Sequence, residues 1–394
     1  MHIGVPKEIK NHEYRVGLVP ASVHELVAQG HRISVQKGAG EGVGYSDIDY
    51  ESVGAQLVEE AQLAFEADMV VKVKEPQPEE CRMLGRGQVL FTFLHLAPDP
   101  QQTQGLLDSG CTALAYEMVR DSRGRLPLLA PMSEVAGRMS IQVGAAALQK
   151  SAGGRGVLLG GVPGTPAAHV LVIGGGVAGT HAAQMAQGMG ARVTVLDTSL
   201  DRLRELDALF RGRVETAYAS SHTLEVLLAE ADLVVGAALV PGHNAPRLLR
   251  RDQLTRMRSG AVLVDISIDQ GGCFETSRPT THEEPTYTLD GVVHYCVANM
   301  PGAVPRTSTL ALNQATLPYV LALARHGWQK ACQLDEGLMS ALSVHDGLLY
   351  CEPVARAQRR PCTPAPCLKG PGYFSGHPML GQTPVISGVE QVSA

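Results

Sequence analysis

Through the first 120 residues, short apolar runs alternate with stretches whose apolar positions recur every three or four residues. HIGVPKE, RISVQKG, DMVVKVKE, QVLFTFLHL and CTALAYEMV read as strands, and PASVHELVAQG and DPQQTQGLLDSG as helices. DYESVGAQLVEEAQLAFEA keeps a helical pattern over its whole length and predicts a single helix. Alternation of this kind builds a mostly parallel sheet covered by helices.

Near Pro131 the pattern changes. MSEVAGRMSIQVGAAALQKSAGG predicts one long helix, rich in small residues that allow close packing. After the Gly/Pro loop GRGVLLGGVPGTPA, the segment HVLVIGGGVAGTHAAQMAQGMGARVTVLD opens a second α/β unit, which continues through ADLVVGAAL and GAVLVDIS. A second long helical pattern follows, TSTLALNQATLPYVLALARHGWQKACQ, with a kink expected at Pro318. The expected fold is α/β: two Rossmann-like doubly wound domains with mostly parallel sheets, joined by long helices around a central cleft. Residues 1–130 and 306–358 would form the first domain, interrupted by a dinucleotide-binding domain at 131–305. Residues 359–394 are rich in Pro and Gly and read as an irregular tail.

Length and composition agree with this. A chain of 394 residues exceeds what one hydrophobic core usually supports. A net charge of −6 without a basic stripe offers no footprint for nucleic acid. No apolar run approaches the roughly eighteen residues of a membrane-spanning helix. The opening MHIGVPKEIKNHEYRVG has charges where a signal peptide needs its apolar core. The eight cysteines form no C-x-x-C pair, and Cys81, Cys111, Cys273, Cys296 and Cys332 stand singly in apolar segments. Buried free thiols in the cytoplasm are expected.

Gly174-x-Gly176-x-x-Gly179 lies directly after an apolar strand and opens a helix; the next strand, ARVTVLD, ends in Asp197. In that context the glycines form a dinucleotide fingerprint. Gly174 permits the tight turn, Gly176 lets backbone approach a pyrophosphate, and Gly179 brings the helix close to the sheet. The helix N-terminus offers N–H donors and positive partial charge to the phosphates. Asp197 suits ribose hydroxyls and repels a 2′-phosphate, favouring NAD over NADP. Arg202, five residues on, is the one feature that argues for a phosphate.

Ligands of open α/β sheets bind outside the carboxyl ends of the strands. Lys74 and His95 end two first-domain strands, Arg15 follows the first strand, and Asp269 precedes Gly271 and Gly272 in the loop after GAVLVDIS. Each has an ordinary reading: Arg15 as a surface ion-pair partner, Lys74 as a solvated strand end beside Lys72, His95 as a satisfied structural histidine. Asp265 reads as a structural carboxylate within its strand. Together with a nicotinamide cofactor they fit oxidation at a carbon bearing an amine or hydroxyl and a carboxylate. Arg and Lys suit the carboxylate, imidazole moves a proton near neutral pH, and Asp269 orients water. No metal is expected, since His12, His24, His31 and His326 lack partners at ligand spacing.

The segments GVPKEIKNHEYRVGLVP, VKVKEP, LFTFLHLAPD, LLAPMSEVAGRMSIQ, LLGGVPG, VIGGGVAGTHAA, VDISIDQGGCFETSRPTTH and YCVANMPGAVPRTST resemble the bacterial L-alanine dehydrogenase family over residues 1 to about 356. The resemblance implies reversible oxidative deamination of L-alanine to pyruvate and ammonium with NAD, in a hexamer. It implies Arg15 and Lys74 as substrate-binding residues, and His95 and Asp269 as catalytic. It implies cofactor contacts at Ser133, at Val177 and Ala178, at Asp197 and Arg202, and at Ala238 and Leu239. Further contacts would come from Ile266, Ser267, Ile268 and Asp269, from Arg278, and from Val297, Ala298, Asn299 and Met300. Where the family often has a serine after the third strand of the cofactor domain, this chain has Ala219, with Ser220 next, so the adenosine contact the resemblance implies is either lost or shifted to the Ser220 hydroxyl. Some members carry magnesium on the long C-terminal helix; here Ala322 stands four residues before His326, so none is expected. Two other readings remain at this level: the same chemistry on glycine or another small amino acid, and a transhydrogenase-like NAD(H)-binding subunit.

Overall fold

Six short strands of the N-terminal third are β1 (His2–Val5), β2 (Arg32–Gln36), β3 (Gln56–Val58), β4 (Met69–Val71), β5 (Val89–Thr92) and β6 (Thr112–Ala115). They pair in parallel in the order β3-β2-β1-β4-β5-β6. The computed structural model describes residues 1–238 and 245–364; Leu239 and most of the Pro/Gly tail lie outside them.

The second sheet holds β7 (His169–Ile173), β8 (Arg192–Asp197), β9 (Glu215–Tyr218), β10 (Leu233–Gly236), β11 (Val262–Asp265), β12 (Thr286–Leu289) and β13 (Val292–Tyr295). Its order is β12-β13-β11-β10-β7-β8-β9, parallel except for β12. β14 (Leu342–His345) and β15 (Leu348–Leu349) return to the first sheet, where β14 runs antiparallel to β6. Central strands such as HVLVI and VLVD are buried at every position, as expected of parallel strands covered on both faces.

Both sheets are wound alike. Each reverses direction beside its first strand, at β1/β4 and at β7/β10, and the crevice outside the carboxyl ends at such a point is where ligands bind. Two helices link the lobes in sequence, Ala130–Ala147 and Pro305–Leu334. The first packs on the helix Val177–Gly188 so tightly that a methyl on Gly137 would stand 2.2 Å from the Ala178 carbonyl oxygen.

Two local expectations fail. The single helix expected from DYESVGAQLVEEAQLAFEA is a helix Asp47–Ser52, strand β3 and a helix Ala61–Phe65. Gly54, at φ 92, ends the first helix, and the free edge of β2 captures Gln56–Val58; sheet pairing overrides the local period. The long C-terminal helix keeps helical dihedrals through Pro318 and breaks instead at Gly327, at φ 72 and ψ 158, which costs a glycine little.

Candidate active site

A cleft of about 1000 Å³ lies between the two lobes. Arg15, Lys74 and His95 reach it from the first lobe, Asp269 and the Gly174–Ala178 turn from the second. Phe93, Leu129 and Met132 supply apolar wall beside them.

Arg15, 2% exposed, follows β1. Glu13 accepts from its Nε at 2.7 Å and its Nη2 at 2.6 Å, while Nη1 faces the Met132 sulfur at 3.1 Å. Thioether sulfur is a weak acceptor, so Nη1 is the guanidinium edge most open to a carboxylate ligand. Lys74 lies just beyond β4, its Nζ 3.9 Å from both Glu75 Oε2 and Asp269 Oδ2. Those are ion-pair distances too long for hydrogen bonds, which leaves the ammonium protons available in the cleft.

Lys72 is no solvated strand end. It is fully buried between Glu8 at 3.0 Å and Glu80 at 2.7 Å. Glu8 also accepts from the backbone N–H of Val73 at 2.7 Å and of Lys74 at 3.3 Å, so a buried ion triad shapes the turn that presents Lys74.

His95 is half-buried, its ring stacked on Phe93 with centroids 5.6 Å apart and planes 5° apart. Its backbone sits at φ 47, in the left-handed region few side chains adopt. Glu117 offsets that strain by accepting from the N–H of Leu94 at 3.2 Å and of His95 at 2.7 Å. Asp269 occupies a single turn, Ile268–Gln270, that leaves β11 and ends at Gly271. Asp265 is fully buried and accepts from Ser267, Cys273 and Ser277; it shapes the loop that carries Asp269.

Charge sets the titration of the acids. Burial alone would raise Glu75, but Lys74, His95 and Lys10 outweigh it and hold its carboxyl at about 2. Burial is likewise overcome at Glu13, where Arg15 and the amide of Asn299 bring the carboxyl down to about 2 from the ordinary 4.5. Groups depressed on folding stabilise the native state above their unfolded value, and that stability disappears as pH falls toward the folded one. The urea midpoint is therefore expected to drop between about 4.5 and 2. A midpoint unchanged across that interval contradicts these ionisations.

The glycine turn has room for a dinucleotide. Gly174 adopts φ 103, and a methyl on Gly179 would stand 1.8 Å from the Gly174 carbonyl oxygen, whereas nothing lies within 4 Å of one on Gly176. Backbone is thus bare at Gly176, where the helix Val177–Gly188 begins. Asp197 accepts from the N–H of Gly175 at 2.8 Å and lines the cleft. Arg202 does not face the cleft: it donates to the Gly175 carbonyl oxygen at 2.7 Å, to Thr180 at 2.7 Å and to Glu205. Committed in this way, it is poorly placed to receive a 2′-phosphate.

Ser133, Ala238, Ile266, Ser267, Ile268, Val297, Asn299 and Met300 also line the cleft. Ala298, Ser220 and Arg278 are not brought to it. The Ser220 hydroxyl caps the helix Ser221–Glu230, leaving Ala219 in the wall. Arg278 is exposed and stacks on Tyr287 at 4.2 Å. The bracing acids Glu8, Glu13, Glu75 and Glu117 are absent from the sequence reading. Glu117 meets its partners through the strand register: β5 and β6 pair Thr92 with Ala115 at their ends, and Leu94 and Glu117 each lie two residues past those ends.

Models of the "Alanine dehydrogenase/PNT" N-terminal and C-terminal domains match residues 4–136 and 140–352. The chain belongs to the alanine dehydrogenase/PNT family. Within this family it is 58% identical to an alanine dehydrogenase of Halomonas elongata, over 91% of this chain and 96% of that one. A solved L-alanine dehydrogenase structure superposes with a TM-score of 0.87 at 51% identity, covering 91% of this chain and 99% of that one. A transhydrogenase from Sinorhizobium meliloti shares the fold, with a TM-score of 0.74 at 24% identity, over 89% of this chain and 98% of that one. The α/β architecture with two mostly parallel sheets is thus that of the alanine dehydrogenase/PNT family.

Proposed function

We propose that the chain is an NAD-dependent L-alanine dehydrogenase, catalysing reversible oxidative deamination of L-alanine to pyruvate and ammonium. The observation that carries this is the convergence of Arg15, Lys74, His95 and Asp269 on one cleft bordered by the bare glycine turn. The turn, the helix N-terminus behind it and Asp197 would hold the dinucleotide. When bound, NAD supplies the hydride acceptor. Arg15 Nη1 and Lys74 Nζ grip the substrate carboxylate by charge-assisted hydrogen bonds, which orients Cα. His95 takes up the proton released as the amine becomes an imine, and Asp269 holds the water that adds to the imine carbon; the C–N bond of the resulting carbinolamine then breaks, and the nitrogen leaves as ammonia, which takes up a proton to become ammonium, leaving the pyruvate carbonyl. In the reverse direction His95 returns the proton.

The 51–58% identities to alanine dehydrogenases support this substrate. The same family reading makes the enzyme a homo-oligomer, a hexamer, which sedimentation would separate from a monomer. Six of the free cysteines among the described residues are buried, which supports a cytoplasmic setting. Among the described residues no helix is long and apolar enough to cross a membrane.

The test is NADH formation from NAD with a panel of L-alanine, glycine, L-serine and L-2-aminobutyrate. Alanine is expected to give the highest kcat/KM, with weaker activity on its neighbours, because one methylene is worth only about 1–3 kcal/mol of discrimination. Deamination is expected to quicken as pH rises, because the reaction releases a proton and needs the substrate amine in its neutral form. A folded, NAD-binding sample with no alanine-dependent NADH would refute the assignment in favour of a cofactor-binding subunit.

A further inference from the structure

Asn299 stands in the VANM segment that follows β13 in the nucleotide lobe, a place that suggests a cofactor contact. Its side chain is occupied elsewhere. The amide oxygen accepts from Arg15 Nη2 at 2.6 Å, and the amide nitrogen donates to Glu13 Oε2 at 2.8 Å. Glu13 in turn accepts from Nε and Nη2 of Arg15. Arg15, Glu13 and Asn299 thus form a closed ring, all three at most 8% exposed, with two members from one lobe and the third from the other. The backbone N–H of Asn299 donates to Asp269 Oδ1 at 2.9 Å. One residue therefore touches the substrate clamp with its side chain and the second-lobe acid with its backbone. It does so at φ 64, a conformation asparagine tolerates better than most residues.

We propose that Asn299 is a positioning residue for the substrate: its side chain locks the Arg15–Glu13 pair from across the cleft and leaves Nη1 aimed at the carboxylate site. Two hydrogen bonds donated by the guanidinium to Glu13 satisfy its charge, but both leave from the Nε–Nη2 edge. The amide bridges Nη2 and Glu13 Oε2 together, so neither can shift without losing it. Because the bridge spans the lobes, the substrate half of the site is complete only when the lobes meet. This rests on the assignment of Arg15 to the alanine carboxylate.

Asn299→Gly is the direct test, since glycine accepts the positive φ, keeps the N–H to Asp269 and removes only the amide. The KM for L-alanine is expected to rise about tenfold or more, as for a lost charge-assisted hydrogen bond. The fall in kcat should be smaller, and the Kd for NAD without substrate should stay within about twofold. Glu13→Gln should act on the same parameter, and the double variant should cost little more than the worse single one, as for residues in one network. Asn299→Asp keeps the residue's shape and its oxygen but sets a carboxylate against Glu13; it should show the same KM effect if the glycine variant fails to fold. A tenfold weaker Kd for NAD with an unchanged alanine KM overturns the proposal, as do additive effects in the double variant. A wild-type chain without alanine-dependent NADH formation refutes the functional assignment first, in a measurement separate from the variants.

Discussion

Replacing His95 with alanine is expected to lower kcat for alanine oxidation by about 10²–10⁴-fold, the range for loss of a general acid–base group. The Kd for NAD should hardly move, because His95 stands on the first lobe while the glycine turn and Asp197 belong to the second. The backbone at φ 47 complicates alanine, which resists that conformation. His95→Asn is the cleaner variant, since asparagine tolerates the left-handed region and cannot titrate near neutral pH. Both variants should lose turnover. Turnover within tenfold of wild type in His95→Asn would remove the proton-handling role and leave His95 as an aromatic wall against Phe93.

The largest stability effect is expected at Lys72. Methionine there keeps most of the volume but strands two buried carboxylates, Glu8 and Glu80, without their cation. Breaking a buried ion network from one side typically costs about 3–5 kcal/mol, a large share of the 5–15 kcal/mol that holds a typical domain folded. Burial already pushes the Glu8 carboxyl up, with Lys72 opposing it. Without the ammonium it rises further, so the penalty should be greatest above neutral pH and should shrink as pH falls and Glu8 takes up a proton. Urea unfolding of Lys72→Met at pH 7 and pH 5 reads both effects. Equal losses at the two values would mean that cavity formation, not stranded charge, dominates. Alanine KM should rise as well, since Glu8 holds the Val73 and Lys74 amides.

Much of the lining of the candidate cleft could be read from strand ends. An imidazole closing an apolar run, a lysine past the end of a neighbouring strand and an aspartate before paired glycines all fall where a doubly wound sheet places its ligands. What strand ends do not reveal is the layer beneath. Glu8, Glu13 and Glu117 look like ordinary surface acids in the sequence, and each is buried with its carboxylate on a backbone N–H. Their partners are set by which strands become neighbours, a long-range fact that local periodicity lacks. The same blindness turned Gln56–Val58 into helix, because only the waiting edge of β2 makes it a strand. Ser220 and Arg278 are a different case: the family resemblance implies nucleotide contacts for them, while in this structure a helix cap and a tyrosine ring engage their side chains.

β14 covers the flank of β6 although more than two hundred residues separate them in the chain. During synthesis, everything belonging to the second sheet has therefore left the ribosome before the first sheet can receive its closing strands. Until then β6 presents a row of unpaired amides and carbonyls, the kind of edge that recruits other nascent chains. The nucleotide lobe is free to fold first, and strands made after it seal the sheet that was begun before it.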